Sequence, residues 1–262
     1  MGSPLPLFDA HLHPDGLSDQ DLATLRAFGV EAAVALAHHT APEATSKALL
    51  GQFDALLGTH LPRLERAGIR AYAALGVHPQ RVPRRGLGEV LAALPGYFRG
   101  GKVVALGETG LHRGGELEEE CFVEHLALAR RLSLRVVVHT PALRKDTLTR
   151  RCLALIRAAK VSPGQVLVDH ARPSTLKGVL ECGHWAGLTL HPDALSGEEA
   201  VACVREFGAV RLILNSDAGD GASDIVGLAR AAHLMAKAKL SPHVVRLVTA
   251  RNAGAFFRVS EA

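Results

Sequence analysis

The chain has 262 residues, 48% of them hydrophobic and 21% charged, and a formal net charge of +4. That is enough for one (β/α)8 barrel, typically about 250 residues, with a large core, while a mild basic excess with no lysine-rich tail argues against a dedicated nucleic-acid-binding protein. Aromatics are only 4%, too few for the stacking platforms that hold single strands.

Short apolar runs alternate with longer amphipathic stretches along the whole chain. The first run, residues 5–10, leads into Asp9-Ala10-His11-Leu12-His13, and residues 18–28 follow at helical spacing with Ser18 as N-cap. The second run, 31–37, ends at His38-His39, and the stretch 42–67 is long enough for two helices projecting beside a barrel mouth. Run 70–77 precedes His78-Pro79, and run 103–107 precedes Glu108-Thr109-Gly110. Residues 117–132 begin with Glu118, Glu119 and Glu120 and end with Arg130 and Arg131, the polarity a helix dipole favours. Run 135–138 then leads to His139-Thr140-Pro141, helix 146–159 to run 165–168 and Asp169-His170, and helix 174–182 to run 186–190 and His191-Pro192. Helix 198–207, run 211–214 with Asn215-Ser216-Asp217, helix 223–239 and a terminal helix at 243–257 complete the chain.

Gly29, Gly68, Gly183 and Gly208 each stand just past a helical stretch, where a left-handed cap is needed. Runs that are apolar on both alternating faces suit parallel strands covered on both sides. Eight of them, alternating with helices, predict an α/β fold: a (β/α)8 TIM barrel, one domain over residues 1–262, with an extra C-terminal helix. Cys121, Cys152, Cys182 and Cys203 fall in helical stretches without a C-x-x-C pair, as reduced packing residues of a cytoplasmic protein do. No apolar run reaches the ~18 residues of a membrane span, and residues 1–7 lack the basic-then-apolar pattern of a secretory leader.

Polar residues gather at one end of the strands, and histidine, fourteen in all, stands at the ends of six of the eight. Barrel enzymes keep their active sites at that end. Two residues apart on an extended chain, His11 and His13 share a face and can reach one cation. Glu108 can bridge two cations, which offsets the cost of a buried carboxylate. His139 and His170 end neighbouring strands and can complete a second position, and Asp217 on the last strand returns to the cation of His11 and His13. His78, Arg144, Lys145 and His191 form the candidate substrate shell, with Arg suited to a phosphate or carboxylate.

The order H-x-H, G-E-x-G, strand-end His, strand-end His and S-D resembles the TatD-like metal-dependent hydrolases of the amidohydrolase superfamily. The resemblance spans Phe8-Asp9-Ala10-His11-Leu12-His13, Gly107-Glu108-Thr109-Gly110-Leu111 and Asn215-Ser216-Asp217. It implies one cation held by His11, His13, Glu108 and Asp217 and another by Glu108, His139 and His170. Zinc is the first choice, with Mn, Ni, Fe or Mg also compatible. It further implies a water activated between cations about 3.5–4 Å apart, with Asp217 as general base or proton shuttle. The expected substrate is a small molecule or phosphoester, with nucleic acid as substrate only. Hydrolysis of a small carboxylic ester, lactone or amide is the alternative, and a metal-bearing binding module the non-enzymatic one. Thr109, His112 and Ala171-Arg172 depart from the deoxyribonuclease pattern, in the substrate shell and not among the ligands.

Overall fold

The computed structural model describes residues 5–37 and 45–260, so His38 and His39 lie outside it. Eight strands, β1 (Leu7–Leu12), β2 (Val30–Leu36), β3 (Arg70–Leu75), β4 (Val103–Gly110), β5 (Arg135–His139), β6 (Val166–Val168), β7 (Trp185–Thr189) and β8 (Leu212–Asn215), form one parallel sheet in that order. The sheet closes through main-chain bonds from Asp217 N–H to His11 O at 3.0 Å and from His13 N–H to Ala218 O at 2.7 Å. All eight apolar runs are therefore strands of a TIM barrel.

Helices return the chain between strands: α1 (Asp19–Ala27), α2 (Ser46–Ala55) and α3 (Leu61–Arg66), α4 (Leu87–Tyr97), α5 (Glu116–Leu132), α6 (Lys145–Ala159), α7 (Pro173–Glu181), α8 (Gly197–Phe207) and α9 (Gly227–Lys237). Ser18 caps α1 in a reciprocal box with Asp21, its hydroxyl accepting from Asp21 N–H. The long stretch before β3 is one rod, because α2 runs into α3 through a π-helical turn at Leu56–His60. Pro62 lacks an N–H and its ring crowds the carbonyl four residues back, which the wider turn absorbs. Helix α4 carries no helix signal in the sequence: it contains Gly88, Pro95 and Gly96 and starts at a left-handed Gly86. It forms because Val90 and Leu94, one turn apart, are buried in the core.

Outward-facing strand residues such as Leu12, Leu75, Val136 and Leu214 join the helices in the larger core. Inward-facing Phe8, Ala10, Ala32, Val34, Ala74, Ala105, Val137, Leu167 and Ile213 fill the barrel. The extra C-terminal helix is real, made of α10 (Pro242–Arg246), a π turn (Leu247–Arg251) and α11 (Asn252–Phe257). It plugs the barrel floor: Ala250, Ala253, Phe256 and Phe257 pack with Phe8 and Ile213, and Trp185, at the start of β7, meets Phe256 edge-on.

Candidate metal centre

Six side chains singled out by the sequence meet at the carboxyl ends of the strands. Strand alternation alone does not bring them there. Phe8 and Ala10 face inward, as does Ala105, so strict period two would turn His11 and Glu108 outward. A register shift between Asp9 and Leu12 in β1, and another between Leu106 and Thr109 in β4, resets the parity just before each ligand. His139, two residues after inward Val137, needs no such device. His170 and Asp217 are turned by left-handed backbone, φ 55° and 52°. Non-glycine residues hold that conformation at a cost on the order of 1–3 kcal/mol, and typically at functional sites.

Hydrogen bonds identify which ring nitrogens carry protons. His11 Nδ1 lies 2.6 Å from the Asp169 carboxylate, and His13 Nδ1 lies 3.1 Å from the Leu36 carbonyl, both acceptors. Each Nδ1 therefore bears a hydrogen, which leaves Nε2 as the nitrogen whose lone pair can take a cation or a proton. Those two Nε2 atoms stand 3.1 Å apart. Asp217 Oδ1 faces them at 3.4 and 3.1 Å, and Glu108 Oε2 faces His11 Nε2 at 3.5 Å. Asp217 Oδ1 is buried without a hydrogen bond. Four lone-pair donors thus converge in a dry place where they repel one another unless a cation lies among them, so the residues fit a divalent metal. In the bare protein a proton must serve instead. Burial opposes charge on His11, yet the Glu108 and Asp217 carboxylates outweigh it and raise its pKa to about 10.

The other oxygen of Glu108 has its own neighbours, His139 Nδ1 at 3.0 Å and His170 Nε2 at 2.9 Å. Burial alone would favour a protonated Glu108, but the charge of His11 and the bonds from His139 and His170 keep it well below the usual carboxylate range. His78 Nε2 lies 3.8 Å from Glu108 and 3.4 Å from His139 Nδ1.

The family model described as "TatD related DNase" matches residues 8–257. The chain belongs to the TatD family. It is 31% identical, over 97% of its length and all of the relative's, to an uncharacterised metal-dependent hydrolase of Methanocaldococcus jannaschii. The crystal structure of a TatD-like protein from Archaeoglobus fulgidus superposes with a TM-score of 0.81 at 28% identity, covering 96% of this chain and all of that one. The phosphotriesterase homology protein of Escherichia coli shares the fold, with a TM-score of 0.73 at 17% identity over 98% of this chain and all of that one. The protein is a metal-dependent hydrolase of the TatD type.

Of the four residues expected around a substrate, the structure of this TatD protein brings three to one cavity. A cavity of about 310 Å³ above Glu108 is lined by His78, Lys145 and His191, together with Gln80, Arg81, His112 and Arg172. Arg144 is exposed and gives its guanidinium to the Arg113 carbonyl, outside that lining. Lys145 spends its ammonium on Thr140 O at 2.8 Å, Thr140 Oγ1 at 2.9 Å and His170 O at 2.6 Å, strapping the β5 tip to the β6 tip. Burial, reinforced by Arg172, pushes its pKa down to about 7. His191 accepts from Asp193 N–H and bonds the Asp220 carbonyl, so both of its nitrogens tie loops together.

Sequence reasoning assigned no role to Asp169, the hub beneath the site. One oxygen holds His11, and the other accepts from His170 N–H at 2.9 Å and Asn215 Nδ2 at 2.8 Å. Its signal was parity: two residues after inward Leu167, it must point into the barrel. Gly187 makes its room, since a Cβ there would lie 1.9 Å from Asp169 Oδ1. Beneath it Asp9 receives Ser216 Oγ–H and Ser216 N–H, and burial raises its pKa to about 6.

Proposed function

We propose that this TatD-family hydrolase holds two divalent cations and hydrolyses a small phosphoester. His11, His13 and Asp217 would hold one cation, His139 and His170 the other, with Glu108 shared. The observation that carries this reading is the split environment of Glu108, one oxygen facing His11 and the other facing His139 and His170. Two cations held there would supply an acidified water and polarise the bond under attack. Asp217 is the proton acceptor of the arrangement: one oxygen faces the His11 and His13 rings, and the other lies 3.9 Å from His170 Nδ1, at the cavity wall.

Arg81 and Arg172 support a phosphoryl group over a carboxylic ester, because the guanidinium fork matches two phosphoryl oxygens. The cavity is at the lower end of small-ligand sites, and Asp193 and Asp220 line the β7 and β8 side. A polyanionic strand crossing that side would meet carboxylates, which supports a small ester over a polynucleotide.

The test is elemental analysis followed by a metal-reconstituted screen of p-nitrophenyl phosphate, bis-p-nitrophenyl phosphate, single-stranded DNA and lactones. Two ions per chain and turnover of an aryl phosphate are expected, with Asp217→Asn keeping at least one ion while kcat falls about 10²–10⁴-fold. Turnover of lactones alone would replace the phosphoester reading. Bound ions with no turnover of any substrate would favour a binding module.

A further inference from the structure

We infer that the two cation positions are unequal, and that His112 sets the affinity of the weaker one by orienting His139. The inference rests on the paired-cation reading and adds a residue that reading does not use. An imidazole that binds a cation through one nitrogen is oriented, and made more or less basic, by what its other nitrogen meets. Here the four histidines differ. His11 is backed by the Asp169 carboxylate at 2.6 Å and His13 by the Leu36 carbonyl at 3.1 Å. His170 Nδ1 meets the Thr189 hydroxyl at 2.9 Å. His139 faces Glu108 through Nδ1, and its Nε2 meets another imidazole, His112 Nδ1, at 3.4 Å. The backing weakens in that order. Dryness separates the same two pairs: the side chains of His11 and His13 are 0% and 5% exposed, those of His139 and His170 13% and 14%.

His112 is held ready for this role. The Glu118 carboxylate accepts from the backbone N–H groups of His112, Arg113 and Gly114 at 2.7, 2.9 and 2.9 Å, fixing the loop between β4 and α5. The far nitrogen of His112 meets the Gln80 side-chain amide at 2.9 Å. The amide nitrogen can only donate, so the bonds run from Gln80 to His112 Nε2 and from His112 Nδ1–H to His139 Nε2. In the bare protein that polarity leaves a hydrogen on His139 Nδ1, given to Glu108. A cation taking the place of that hydrogen would reverse the run, with the Gln80 amide turning its oxygen to His112. His78 stands with Glu108 and His139 in a group able to hold a metal, but its ring is turned to donate. Its Nδ1 accepts the Gln80 main-chain N–H at 3.2 Å, so its Nε2 carries a proton and stands beside the cation position as a donor.

The experiment is calorimetric titration of metal-stripped protein with Mn²⁺, with bound ions counted by elemental analysis. Wild type is expected to bind two ions in separable steps. His112→Leu should weaken the second step about ten- to hundredfold and leave the first within about twofold. His112→Asp, which gives His139 a carboxylate partner, should tighten the second step beyond wild type, a gain that loss of packing cannot produce. Gln80→Leu should shift the second step the same way as His112→Leu by a smaller factor, and it covers the case in which the His112 variants fail to fold. Two equal steps in wild type, or His112→Leu weakening both alike, would overturn this inference and leave the paired site standing. Uptake of a single ion by wild type would overturn the paired site and this inference with it.

Discussion

At the amino ends of the strands, Phe8 stacks on Tyr72 and Phe257 with centroids 6.3 and 6.2 Å away, and Trp185 meets Phe256 at 5.8 Å. At the carboxyl ends of the strands, His11, His13, Glu108 and Asp217 crowd together with lone pair facing lone pair. In the floor, alternation is kept and apolar burial supplies the energy. In the mouth, alternation is broken by register shifts and left-handed residues, and the crowded donors lower the energy of the whole only with a cation among them. Stability and chemistry are thereby separated along the barrel axis, and substitutions can test the separation.

The largest effects belong to one substitution at each end. Phe256→Ala should cost about 3–5 kcal/mol of unfolding free energy in denaturant titrations, while the folded variant keeps its metal stoichiometry. Glu108→Gln should do the reverse, losing at least one bound ion per chain and lowering kcat/KM about a thousandfold, the several kcal/mol that metal ions supply. A Phe256→Ala protein that folds but binds no metal would break the separation.

Gly187→Ala sharpens it. The new Cβ displaces Asp169, so His11 loses its carboxylate partner. Affinity for the tighter ion should fall about ten- to hundredfold, read by competition with a chelating dye, with a smaller change in stability than Phe256→Ala. An unchanged affinity would show that Asp169 does not support His11.

The smallest effect is a pH dependence. His125 on α5 is fully buried, accepts from Val77 N–H at 3.1 Å and donates to Cys121 O at 2.8 Å. Burial pushes its pKa down to about 4 from 6.5. Between those values the unfolded chain binds the extra proton and the folded one does not, so stability falls as pH drops from about 6.5 to about 4. The contribution is on the order of 1–3 kcal/mol. In His125→Gln that part of the acid slope should vanish, as thermal melts at pH 4.5 and 7 would show.

Much of this was legible from residues alone. The eightfold alternation is carried by local apolar periodicity, and His11, His13, His139 and Asp217 follow runs whose ends are easy to find. Helix α4 was not legible, because its glycines and proline erase the local signal and its core contacts come from distant residues. Arg144 beside Lys145 suggested an anion-binding pair, yet a left-handed residue at Arg144, φ 54°, turns it away, and Arg172 and Arg81 line the cavity.

The sequence by itself determined the barrel, its strand ends and the types of group delivered there, since each depends on neighbours a few residues away. Which of those groups face inward, and what holds them, was decided only when β8 closed on β1. Closure sets Ser216 against Asp9 and Asn215 against Asp169 across more than forty residues of chain in each case. The register shifts that turn His11 and Glu108 inward exist between paired strands. No local pattern encodes a property that belongs to two strands at once.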